Sequence, residues 1–246
     1  MFRAIVLLCA AFTAMPLCAA SADAERLSRA ASDYRSALAR ARRGAGGDSV
    51  EQAYLRAVEL GRVLLESPAG ELAPIEAMTP DELNAFHRSL PGIILNQEEV
   101  LLAQPDPPFF LALARAHGRP SDVRFFEAYA ATLPDGVWPS YLEQQTDVTG
   151  CTKFGAGELV ARYSGWLRFR RTYPRAYRDA VSEELEKIET EVGESTCACS
   201  TPADTLRELQ QFAARFPRSR VIAKVRLRIR ELRVNRSNIR FECMSG

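Results

Sequence analysis

Residues 209–219 read Leu209-Gln-Gln-Phe212-Ala-Ala-Arg-Phe216-Pro217-Arg-Ser219. Apolar residues at steps of three and four share one face of an α-helix. The proline that follows cannot continue the helix, so the chain bends and the next helix packs back against the first. The same spacing occurs twice upstream, as Trp166, Phe169, Tyr173, Pro174 and as Phe126, Tyr129, Leu133, Pro134. Successive prolines stand 40 and 43 residues apart, the interval of helical-hairpin repeats. The fold class that follows is all-α: a bundle of helical hairpins.

Working outward, Ala156 to Val192 and Thr201 to Arg236 read as helical pairs bent at Pro174 and Pro217. Upstream, Ala24 to Arg43 forms a helix ended by Gly44-Ala45-Gly46-Gly47. Asp48 or Ser49 caps a second helix that runs to Glu66 with Ala53, Val58, Leu60, Val63 and Leu64 as its apolar set and stops at Ser67-Pro68. Thr79-Pro80-Asp81-Glu82 is a capping box with proline at the first helical position. The helical rhythm continues through Glu98 to Gln104, Pro107 to His117 and Pro120 to Leu133, and strand signals are scarce. Pro134, Gly136, Pro139, Gly150 and Gly155 then break it, which places a boundary between a helical region at 23–147 and a second at 148–246.

The last corner, an aromatic, Pro217, one residue and Ser219, resembles the corner of the tetratricopeptide-like repeats of bacterial cell-envelope proteins. The resemblance covers two hairpins of the C-terminal half, and the middle copy carries Ala176 at the Ser219 position. It implies stacked helical hairpins that bind a protein or peptide on a concave surface. An ordinary helical bundle with similar corners is the alternative.

The N-terminus has the order of an export signal: Arg3, an apolar run from Ala4 to Met15, Pro16, and small residues ending at Ala20-Ser21-Ala22. Cleavage of residues 1–22 gives a mature chain starting at Asp23, periplasmic or secreted. The run is shorter than the ~20 apolar residues of a membrane span, so no transmembrane segment is expected in the mature chain. The full chain has 32 basic and 31 acidic residues, and loss of Arg3 leaves the mature form neutral. A nucleic-acid binder would show a basic excess.

Cys9 and Cys18 leave with the signal, and Cys151, Cys197, Cys199 and Cys243 remain. An even number in an oxidising compartment points to disulfides. Cys151 precedes the hairpin bent at Pro174, Cys197 and Cys199 follow it, and Cys243 follows the hairpin bent at Pro217. A hairpin returns its ends to one place, so each can be stapled there, with Cys197 and Cys199 taking one partner each in either order. Closing such a loop stabilises by roughly 4 kcal/mol in the chain-entropy model. The alternative, a redox or soft-metal role for Cys197-Ala198-Cys199, lacks further ligands at suitable spacing.

Catalytic signals are sparse. His87 and His117 each fall near a helix end, where the dipole favours them, and neither has a nucleophile motif beside it. Peptidoglycan hydrolysis would need a buried glutamate with a raised pKa, and Glu183, Glu184, Glu186, Glu189, Glu191 and Glu194 crowd one helix and read as solvated. No cofactor or metal is expected.

From Arg218 to Arg236, eight basic residues face the single acid Glu231. Ile222, Val225, Ile229 and Leu232 form a buried stripe, and Arg226, Arg230 and Arg233 flank it. These three are the candidate binding residues, for an acidic envelope protein, anionic lipid or lipopolysaccharide. Alternatively, the acidic and basic helices face each other within the molecule. Trp138, Trp166 and Phe169 are candidate anchors. The functional expectation is a non-enzymatic envelope interaction protein: scaffold, assembly factor or inhibitor-type binder. A cell-wall hydrolase and a thiol-redox or metal-binding protein are the rivals.

Overall fold

A computed structural model describes residues 16–44, 46–67, 71–97, 101–145 and 150–243. Among these the chain is mostly helical, with nine α-helices and two short strand pairs. The apolar run Ala4 to Met15 of the expected export signal lies outside the described residues, as do Pro68 and Glu98, while the expected cleavage site Ala20-Ser21-Ala22 falls within the helix that begins at Pro16. No described helix is long and apolar enough to cross a membrane.

Helix α1 (Pro16–Arg42) folds back on α2 (Ser49–Leu65). Small residues let the two approach: Ala31, Ala37 and Ala41 on α1 and Ala53 and Ala57 on α2 are buried. Val58, expected in the apolar set of α2, lies off the buried face and is exposed. Asp48 holds the N-cap position of α2 but makes no side-chain bond there. At α3 (Pro80–Arg88) the capping box forms as expected: the Glu82 amide donates to Thr79 Oγ1 at 3.3 Å, and the Thr79 amide donates to Glu82 Oε2 at 2.8 Å.

Strands β1 (Ile93–Asn96) and β2 (Leu102–Pro105) pair antiparallel, Ile93 opposite Pro105, and correct the helical reading of Glu98 to Gln104. Helix α2 explains part of this. A Cβ at Gly61 would collide with the Ala103 carbonyl, so the bare glycine admits strand β2 against the helix. Helices α4 (Pro107–His117) and α5 (Pro120–Thr132) follow, then β3 (Leu142–Gln144) paired with β4 (Gly150–Thr152).

Two hairpins complete the chain: α6 (Glu158–Thr172) with α7 (Arg178–Glu194), and α8 (Pro202–Arg215) with α9 (Ile222–Arg233). The three proline corners share one backbone geometry. Leu133, Tyr173 and Phe216 have φ of −119°, −130° and −125°, and each donates its amide to the carbonyl four residues back, at 2.8–2.9 Å. Only the second and third corners lead directly into another helix; the first leads to β3.

The buried core runs continuously from α1 to Ile239. At its centre Tyr54 meets Phe110, Phe125, Phe126, Tyr129 and Tyr177 edge-on, while Phe125 stacks on Tyr177 with ring centroids 3.8 Å apart. Tyr177 starts α7 in the left-handed region, at φ 50°. Polar bonds hold it there: its amide donates to Glu51 at 2.6 Å and its hydroxyl to Asp122 at 3.0 Å, and Arg119 bridges those two carboxylates. An L-residue there costs about 1–2 kcal/mol. The bonds and the stack together offset it.

Each C-terminal hairpin is stapled, which resolves the open pairing. Cys151 joins Cys199, and Cys197 joins Cys243, with Cα atoms 5.2 and 6.0 Å apart. Between the two bonds runs a small ladder. The Thr152 amide donates to the Cys197 carbonyl and the Cys199 amide to the Thr152 carbonyl, both at 3.0 Å; Ala198 donates to Arg240 at 2.9 Å. Disulfides of this kind form in the oxidising compartments reached by exported chains.

Candidate functional site

The basic residues at the start of α9 and along it sort into two stripes. Arg220, Lys224 and Arg228, four residues apart, turn inward to α7. Arg220 pairs with Glu189, and Lys224 with Glu194, whose carboxyl is thereby held below its ordinary value. Arg228 donates to the carbonyls of Val192 at 2.8 Å, Glu191 at 3.1 Å and Ser195, satisfying the C-terminal end of α7. Burial pushes its guanidinium down to about 10, against the pull of Glu191, Glu231 and Glu194. The acidic and basic helices therefore do face each other along this stripe.

Arg226, Arg230 and Arg233 lie on the other flank, exposed, with no hydrogen bond or ion pair to a described residue. The expected buried stripe is formed by Val225, Ile229 and Leu232, joined by Arg228, while Ile222 is only half-buried.

Where the α8–α9 corner meets α6 and α7, the surface opens into a groove of about 570 Å³. Its floor is Tyr163, Leu167, Leu185 and Phe216, and its walls carry Arg170, Arg215, Arg218 and Arg220. Arg215 donates to Ser164 Oγ at 3.2 Å; Arg170 and Arg218 have no hydrogen bond or ion pair to a described residue. The one lining carboxylate, Glu189, is buried and already occupied, accepting from the Tyr163 hydroxyl at 2.5 Å, from Ser219 at 3.3 Å and from Arg220. Burial and this carboxylate raise the Tyr163 hydroxyl to about 12. The groove thus presents three positive charges in excess over an apolar floor, within the 300–1,000 Å³ range usual for ligand sites.

Several expected residues stand elsewhere. Trp166 and Phe169 are buried core residues, and their aromatic faces are used internally against Phe125. Trp138 is half-buried beside Gly150. His87 and His117 are exposed in the last turns of α3 and α4. Among the described residues no group of three or more His, Cys, Asp and Glu is placed to hold a metal ion.

The solvated reading of the α7 glutamates needs correction, because Glu184 and Glu189 are 5% exposed. Burial raises the carboxyls of Glu184 and Glu191, the kind of group a general acid requires. Both are already engaged, however: Glu184 accepts from Lys187 at 2.9 Å and Glu191 from Thr152 Oγ1 at 2.6 Å.

No protein family, curated protein or solved structure matches this chain. A groove between hairpins was expected from the sequence, but not the residues that line it, which come from three separate segments. One signal was present: Arg170, Arg215 and Arg218 all fall within three residues of an aromatic-proline corner.

Proposed function

We propose that this chain is an exported, non-enzymatic interaction protein of the cell envelope, a scaffold or assembly factor built on tetratricopeptide-like hairpins. Its export rests on the signal-like N-terminus and on the two disulfides, and a periplasmic location is part of the proposal. The observation that carries the interaction reading is the groove beside Pro217, where Arg170 and Arg218 have no acidic partner among the described residues and stand beside the apolar Leu167, Leu185 and Phe216. Such a surface complements a protein segment that alternates acidic and large apolar side chains. Charge there steers encounter and selects the partner, and burial of the apolar side chain slows release.

The test is cross-linked capture from the native envelope with the disulfide-bonded protein and an Arg170→Glu/Arg218→Glu variant, repeated with a competing acidic-apolar synthetic peptide. A partner lost both in the variant and under competition supports the reading. Recovery of the same proteins by the variant would contradict it. Both substitutions sit on exposed side chains, so the fold is expected to survive them.

A further inference from the structure

The second cationic surface, on α9, makes a different demand on its ligand. The inner stripe of Arg220, Lys224 and Arg228 already serves the contacts with α7, so the outer stripe of Arg226, Arg230 and Arg233 is surplus to the fold. The helix dipole favours Arg230 and Arg233 in the last turn but gives no reason for Arg226 near the start. It also gives no reason for Leu227 and Val234, which stand 46% and 61% exposed on the same helix and its C-cap.

The outer residues Arg226, Arg230 and Arg233 take no part in the groove lining. They form a row along a helix surface, with aliphatic side chains beside them. A basic row with interspersed apolar side chains suits an extended, negatively charged, partly apolar plane better than a keyed polypeptide or a free ion.

We infer that the outer face of α9 docks on membranes bearing anionic lipid headgroups, Arg226, Arg230 and Arg233 meeting headgroup phosphates while Leu227 and Val234 enter the headgroup boundary. Long arginine side chains reach phosphates from a helix lying flat on the surface. This contact is independent of the groove, so the molecule can hold a protein partner and a membrane at once.

Co-sedimentation of the purified, disulfide-bonded chain with phosphatidylcholine vesicles, with and without phosphatidylglycerol, tests this. Binding is expected only to the anionic vesicles and should fall with added salt. An Arg226→Gln/Arg230→Gln/Arg233→Gln variant should bind about 100-fold more weakly. Leu227→Ser should weaken binding less, and the groove variant Arg170→Glu/Arg218→Glu should bind as the wild type does. Equal sedimentation with neutral and anionic vesicles, or wild-type binding by the triple variant, would overturn the inference. So would competition by inorganic phosphate at millimolar concentration, or a preference for polyglutamate over the vesicles.

Discussion

Around Tyr54 the N-terminal helices are held by a cluster of rings that reaches Tyr177 of α7, whereas the two C-terminal hairpins add two disulfides and a short backbone ladder to their own apolar core. The difference shows in what each leaves unused. The aromatic body turns its large side chains inward. The stapled hairpins fix their backbone near the chain crossings, which frees whole flanks of side chains from any structural duty. Both cationic surfaces lie on those hairpins.

Three measurements can break or sharpen that contrast. Reduction of both disulfides should have the largest effect, about 4 kcal/mol for each loop in the chain-entropy model. Amide hydrogen exchange should then lose protection first in residues 150–243, with the region around Tyr54 persisting longer. Uniform loss across the chain would erase the distinction.

Phe125→Ala comes next, with an expected cost of about 3–5 kcal/mol in chemical denaturation. Phe125 touches both Tyr54 and Trp166, so protection should fall in both regions. A loss confined to α4 and α5 would show that the core is not shared.

The smallest effect is electrostatic. Burial holds the Glu191 carboxyl above its ordinary value of 4.5, with Thr152, Ser195 and Arg228 lowering it less. As pH rises from 4.5 through the folded value, the unfolded chain gives up this proton first, so the folded state loses stability across that window. Glu191→Gln removes the loss. The Tm of the variant relative to the wild type should therefore rise with pH above 4.5, and a constant difference would show that the site does not titrate as its burial requires.

Much of the fold was legible in the order of residues because helix ends are local events. Thr79 and Glu82 cap α3, and the prolines after Leu133, Tyr173 and Phe216 end their helices, without reference to distant parts of the chain. The strands were not legible, since β1 and β2 have four residues each and depend on the space above Gly61. The cysteine order revealed two staples but not their pairing, which the ladder through Ala198 decides.

The candidate sites divide in the same way. Arg226, Arg230 and Arg233 could be placed on one flank from helical spacing alone, whereas the burial of Arg228 depends on the carbonyls at the end of α7. Glu189 reads as one of six similar glutamates until Tyr163, Ser219 and Arg220 are brought to it by other elements.

The central claim is that two separate cationic surfaces give this chain two separate contacts. Measuring partner capture and anionic-vesicle binding side by side, for the wild type, the Arg170→Glu/Arg218→Glu variant and the Arg226→Gln/Arg230→Gln/Arg233→Gln variant, tests it most directly. The account predicts that the first variant loses the protein partner and keeps the vesicles, and that the second does the reverse. Loss of both contacts in either variant, or of neither in both, would contradict it.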